Sequence, residues 1–171
     1  MTSKWILIVA LATIAAAPAS PLTSLAGRYS KHFQNGFIDG SKYWSDDVVE
    51  IVPVDATHAY VRADLQFYNG HQCSLTGVAK AVGNTLVYRE KEITAYEGRQ
   101  PCTLTVSIKG KSLLLDDGEG TCKAYCGARG TFSGFDFIPS SSKRPITYMA
   151  RLKGSEEYKG AIEDWKAGKT E

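Results

Sequence analysis

Residues 58–68 alternate without a break. Ala59, Val61, Ala63, Leu65 and Phe67 fall on one face of an extended chain, and His58, Tyr60, Arg62, Asp64, Gln66 and Tyr68 on the other. A period of two is the pattern of a strand buried on one side. Asn69-Gly70 follows at once, a pair that accepts left-handed backbone and favours a hairpin. A two-residue turn would set Phe67 against Gln72 and Leu65 against Ser74, turning polar groups inward. A three-residue turn over Asn69-Gly70-His71 pairs Phe67 with Cys73, Leu65 with Leu75 and Ala63 with Gly77. That register keeps one apolar face. A chain organised around such a hairpin has to complete an antiparallel sheet.

The same logic extends along the chain. Gly83-Asn84 turns a second hairpin, placing Ala81 opposite Leu86 and Ala79 opposite Tyr88. Residues 102–108 point Cys102, Leu104, Val106 and Ile108 inward. A turn at Lys109-Gly110 then pairs Val106 with Leu113 and Leu104 with Leu115. Residues 47–54 form another strand, with Pro53 near its end. Residues 27–34 supply the first strand and residues 130–138, with three Phe, the last. About eight strands with mostly short connections predict an all-β fold, an antiparallel up-and-down barrel or meander. After Pro145 the period changes. Ser155 followed by Glu156 and Glu157 marks a helix start, and Tyr158, Ala161, Ile162 and Trp165 then share a face. A C-terminal amphipathic helix docked on the barrel wall is expected.

The chain has 171 residues, enough for one domain. A single charge at Lys4, an uncharged stretch from Trp5 to Ala17 and small residues at Ala17 and Ala19 predict a signal peptide over 1–19. The stretch is too short to span a membrane. The expected organisation is therefore 1–19 signal peptide, 20–145 β domain, and 146–171 helix and tail. This implies a periplasmic or secreted protein. The net charge of +2 gives no reason to expect nucleic acid as a partner.

Export makes the four cysteines, Cys73, Cys102, Cys122 and Cys126, two disulfides. Zinc is disfavoured, because only Cys122 and Cys126 have a ligand-like spacing. The favoured pairing is Cys73 with Cys102 and Cys122 with Cys126. Its rival is Cys102 with Cys122 and Cys73 with Cys126. Hairpin order places all four cysteines, and the longer connections 35–46, 92–100 and 118–129, at one rim. Binding residues concentrate on such loops.

Phe37, Ile38, Tyr43 and Trp44 in loop 35–46 form either an exposed contact patch or a plug in the barrel mouth. Arg129, flanked by glycines in Cys126-Gly127-Ala128-Arg129-Gly130, either bonds local carbonyls or inserts into a partner. His71, Tyr96, Arg99 and Tyr125 complete the candidate partner-binding set. No Ser or Asp spacing supports a triad around His71. Asp116-Asp117-Gly118-Glu119-Gly120 lacks the spaced ligands of a calcium loop and reads as a solvated turn. No catalytic residue, metal or cofactor is predicted.

Two resemblances follow from these residues. Gly27-Arg28-Tyr29 at the first strand is similar to the Gly-x-Trp opening of lipocalins, which implies a carrier of a small apolar ligand. The small inward residues Ala63, Gly77, Ala79 and Ala81 would leave room for one. Residues 58–138, with the stretch from Cys126 to Gly130 and Ser133-Gly134, resemble small exported bacterial barrels of the lysozyme-inhibitor type, the membrane-bound inhibitors of C-type lysozyme and the LprI-like proteins. That resemblance implies a non-enzymatic binding protein whose partner is a cell-wall hydrolase or lysozyme-like enzyme.

Overall fold

A computed structural model describes residues 21–91, 99–134 and 138–171. The expected signal peptide lies outside these residues, as do Tyr96, Phe135 and Phe137. Eight antiparallel strands form one sheet in sequence order among the described residues. They are β1 (Gly27–Gly36), β2 (Lys42–Pro53), β3 (His58–Gln66), β4 (Gln72–Val82), β5 (Thr85–Arg89), β6 (Thr103–Lys109), β7 (Ser112–Asp116) and β8 (Ile138–Pro139). The sheet curls into a nearly closed barrel. Backbone hydrogen bonds of 2.8 Å in each direction between Arg28 and Arg144 join the first strand to the segment after the last.

The core follows the alternation. Val49, Ile51, Ala59, Val61, Ala63, Leu75, Leu86, Leu104, Val106, Leu113 and Phe132 meet inside. A short helix α1 (Pro21–Leu25) contributes Leu22 and Leu25 to the same core. The Tyr29 hydroxyl donates to the Leu25 carbonyl at 2.9 Å, which ties α1 to β1. The small residues do not open a void at Gly77. A Cβ there would lie 2.2 Å from the ring of Tyr88, so that ring occupies the space.

Two registers differ from expectation by two residues each. Leu65 pairs with Cys73 and Ala63 with Leu75. The connecting loop therefore runs over 67–71, with Asn69 and Gly70 at φ 60° and 70°. The extra residues tie this loop to its neighbour: Asn69 accepts from the Ile38 amide, and the Gly70 amide donates to the Tyr43 hydroxyl. Val106 pairs with Leu115 and Ile108 with Leu113, because Gly110, at φ 61°, opens a two-residue turn. A shift of two keeps every side chain on its face, so the core survives. Ile108, however, reaches the barrel end and is exposed. The Ala81–Leu86 pairing is as expected.

Among the described residues the last strand is Ile138–Pro139, paired with β7, and residues 130–134 lie outside it. Residues 131–134 form a bend, fixed where the Ser133 hydroxyl donates to the Asp117 carboxylate and lies 3.0 Å from that of Asp116. Phe132 is buried all the same.

Beyond the barrel, α2 (Met149–Gly154) and α3 (Glu156–Lys166) form an arm. The Ser155 hydroxyl caps α3 by accepting from the Tyr158 amide. The arm lies on the outer wall, where Leu152 and Ala161 pack with Val52 and Tyr60. Tail residues 169–171 then hydrogen-bond with residues 89–91, at and just past the end of β5.

Candidate functional site

The barrel has two unlike ends. The tight turns at Gly83-Asn84 and Gly110-Lys111 lie at the end where α1 packs. The opposite rim gathers the β1–β2 hairpin tip, loop 67–71, both disulfides and the 117–130 segment.

The disulfides are Cys73–Cys126 and Cys102–Cys122, with Cα separations of 4.0 and 4.5 Å. This is the rival pairing. The favoured one fails because segment 122–130 runs alongside the top of β4: the Gly127 amide donates to the Gln72 carbonyl at 2.8 Å. Cys126 thereby stands opposite Cys73. The glycines around Arg129 permit that approach, since a Cβ at Gly130 would lie 2.7 Å from the Cys73 sulfur. Arg129 does not hold the loop. Its side chain is exposed, and Lys123 does the work instead. The Lys123 Nζ donates to the carbonyls of Gly130 at 2.7 Å, Ala128 at 3.2 Å and Gly127 at 3.4 Å. Asp117 is not part of a solvated turn either. It is buried, and its carboxylate accepts from the Cys122 amide and the Ser133 hydroxyl.

Glu90 organises the inner part of the rim. The Arg99 guanidinium donates to both of its oxygens at 2.6 and 2.7 Å, the Cys102 amide donates at 2.7 Å, and Tyr125 donates a hydroxyl hydrogen bond. Burial alone would raise the Glu90 carboxyl. The bonds from Tyr125, Cys102 and Arg99 outweigh it and hold the group below its ordinary value. Arg99 and Tyr125, both candidates for meeting a partner, are thus turned to an internal carboxylate. His71 is half-buried, with its ring against Gly127.

The aromatic hairpin divides in two. It is not a loose loop, because β1 and β2 remain paired as far as Gly36 and Lys42. Tyr43 stacks on Phe37 with ring centroids 4.3 Å apart, and its hydroxyl donates to the Phe67 carbonyl. The Tyr68 hydroxyl donates to the Phe37 carbonyl at 2.8 Å. These contacts fix the tip yet leave Ile38 75%, Tyr68 45% and Phe37 40% exposed. A depression of about 400 Å³ lies between Phe37, Tyr68 and Asn35. Trp44 is 63% exposed but faces the outer wall, where it stacks on His32 at 4.7 Å. His32 in turn meets Asp46 at 2.9 Å.

Sequence reasoning missed Tyr68, which it read only as a polar-face residue of the strand. It also missed Glu90 and Lys123, single charged residues whose partners are distant in sequence. No protein-family model, curated protein or solved structure matches the chain.

Proposed function

We propose that this is an exported, periplasmic, non-enzymatic binding protein that receives a protein partner at the disulfide-bonded rim. One observation carries the reading: Phe37, Ile38 and Tyr68 stand in water on a tip that several hydrogen bonds hold in place. Large apolar side chains on a fixed backbone lose little entropy on binding and make effective anchors. Both disulfides lie at the same end and are compatible with export. Among the described residues no helix is long and apolar enough to cross a membrane.

The Asp55–Thr57–His58 cluster is not a catalytic relay. Thr57 and Asp55 both approach the Nδ1 of His58, at 2.9 and 3.1 Å. Two groups on one nitrogen cannot pass a proton through the ring, as a triad requires. This is a local turn at the start of β3.

The resemblance to lysozyme inhibitors selects the first partner to test. The oxidised protein should bind a C-type lysozyme and slow its hydrolysis of peptidoglycan. Replacing Phe37 and Ile38 together by Ser should weaken that binding by about 30-fold or more. Absence of binding would exclude this enzyme class. Binding undiminished in the double variant would exclude the hairpin tip as the contact.

A further inference from the structure

The outer wall carries a second site, unrelated to the rim. A cleft of about 310 Å³ opens between the β2–β3 face and the α2–α3 arm. That volume suits a small metabolite. Its floor carries Glu50 and Arg62, paired in register on β2 and β3, and Arg28, the partner of Glu50 on β1, stands beside it.

Nearly every polar group there is already used. The Glu50 carboxylate, 1% exposed, accepts from Arg62 Nε at 2.9 Å and from the Tyr148 hydroxyl. Arg62 also reaches Asp64 at 3.4 Å. Ser155 accepts from the Tyr158 amide, and Glu157 is held by its own backbone amide and by Ser155. Two groups remain. The Tyr60 hydroxyl is fully buried and has no hydrogen-bond partner. The Arg151 guanidinium sits over the Tyr148 ring at 5.0 Å and makes no ion pair among the described residues.

What the cleft leaves unused is therefore donor capacity: one buried O–H and one planar fork of N–H groups. A buried donor without an acceptor is costly, and a guanidinium fork matches a carboxylate in two parallel bonds. The geometry points to a binding site for a small carboxylate, about the size of an amino acid or a single sugar acid, held by Arg151 with Tyr60 donating from below. Arg28, Arg62 and Arg151 balance Glu50, Asp64 and Glu157 in charge. Recognition rests on directed hydrogen bonds rather than on a net positive field.

The test is titration of the oxidised protein, followed by amide NMR shifts, with acetate, pyruvate and glucuronate against sodium chloride at equal ionic strength. At least one carboxylate should give saturable shifts at Tyr60 and Ser155 that chloride does not. Tyr60→Phe keeps the ring against Tyr158 and removes only the hydroxyl, and it should weaken binding by about fivefold or more. Arg151→Gln, at an exposed position, should weaken it by about tenfold or more. If none of the three carboxylates gives saturable shifts, if chloride reproduces them, or if folded Arg151→Gln binds as well as wild type, the site does not exist.

Discussion

Glu50 and Glu90 are two buried carboxylates with the same attendants, an arginine and a tyrosine, in two different settings. Glu90 lies within the rim, and its donors include the amide of Cys102, a disulfide cysteine. Arg99 and Tyr125 fasten loops that the Cys73–Cys126 and Cys102–Cys122 bonds already confine. Glu50 lies on the outer wall, and its tyrosine comes from the arm, 98 residues away, with no covalent tie nearby. One cluster stiffens a covalently closed surface. The other is the polar fastening of a helical arm beside an open cleft. Similar chemistry therefore yields a rigid platform in one place and a noncovalent latch in the other.

The largest effect expected from breaking this comparison is at the rim. By loop-closure entropy, losing Cys73–Cys126, which spans 53 residues, should cost about 4 kcal/mol. Losing Cys102–Cys122, which spans 20, should cost about 3 kcal/mol. Paired Cys→Ser variants in urea denaturation read both values, and the order of the two is itself a check.

The latch comes next. Arg62→Met removes the nearest cation from Glu50, leaving the Tyr148 hydroxyl and only Arg28 at 4.0 Å, and should cost about 3 kcal/mol. Arg99→Met should cost only about 1–2 kcal/mol, because the Cys102 amide and Tyr125 hydroxyl remain on Glu90. Equal losses in urea denaturation would erase the distinction between the two clusters.

A pH titration sharpens it further. The Glu90 carboxyl is depressed below its ordinary value of 4.5 in the folded protein. Its contribution is complete above that value and disappears as pH falls through the lower folded one. The thermal midpoint should fall between about pH 5 and pH 3, and Glu90→Gln should fall less steeply over that range. An unchanged slope would mean that Glu90 is not held as described. The smallest effect expected is at the arm's cap, where Ser155→Ala should cost about 1 kcal/mol in thermal denaturation.

Much of the fold was legible because a period of two is robust. Both register errors were of two residues, which leaves faces unchanged, so Val61, Leu75, Val106 and Leu113 reached the core regardless. The disulfide pairing was not legible, because it depends on where segment 122–130 lies, and nothing local sets that. Phe37, Ile38 and Trp44 stood out as aromatic and apolar residues in a turn-rich stretch, but only the paired strands reveal that Trp44 faces away from Phe37. Glu50 left one signal that could have been used. Val48-Val49-Glu50-Ile51-Val52 is apolar on both faces, which marks a strand covered on its outer side as well. A carboxylate within it has to find cations, and Arg62 was the nearest available on the next strand. The Glu90 contacts join residues 90, 99, 102 and 125 through rim geometry that the alternation does not encode.

The most direct test of the rim as the working end is site-specific photocrosslinking in cells that produce the protein. A photoreactive residue at Ile38 samples the hairpin tip, and one at Asn84, in the tight turn at the opposite end, samples the control surface. A discrete protein adduct is expected from Ile38, lost when Phe37 is replaced by Ser, with none from Asn84. No adduct at Ile38, or the same adduct from both ends, would contradict that role for the rim.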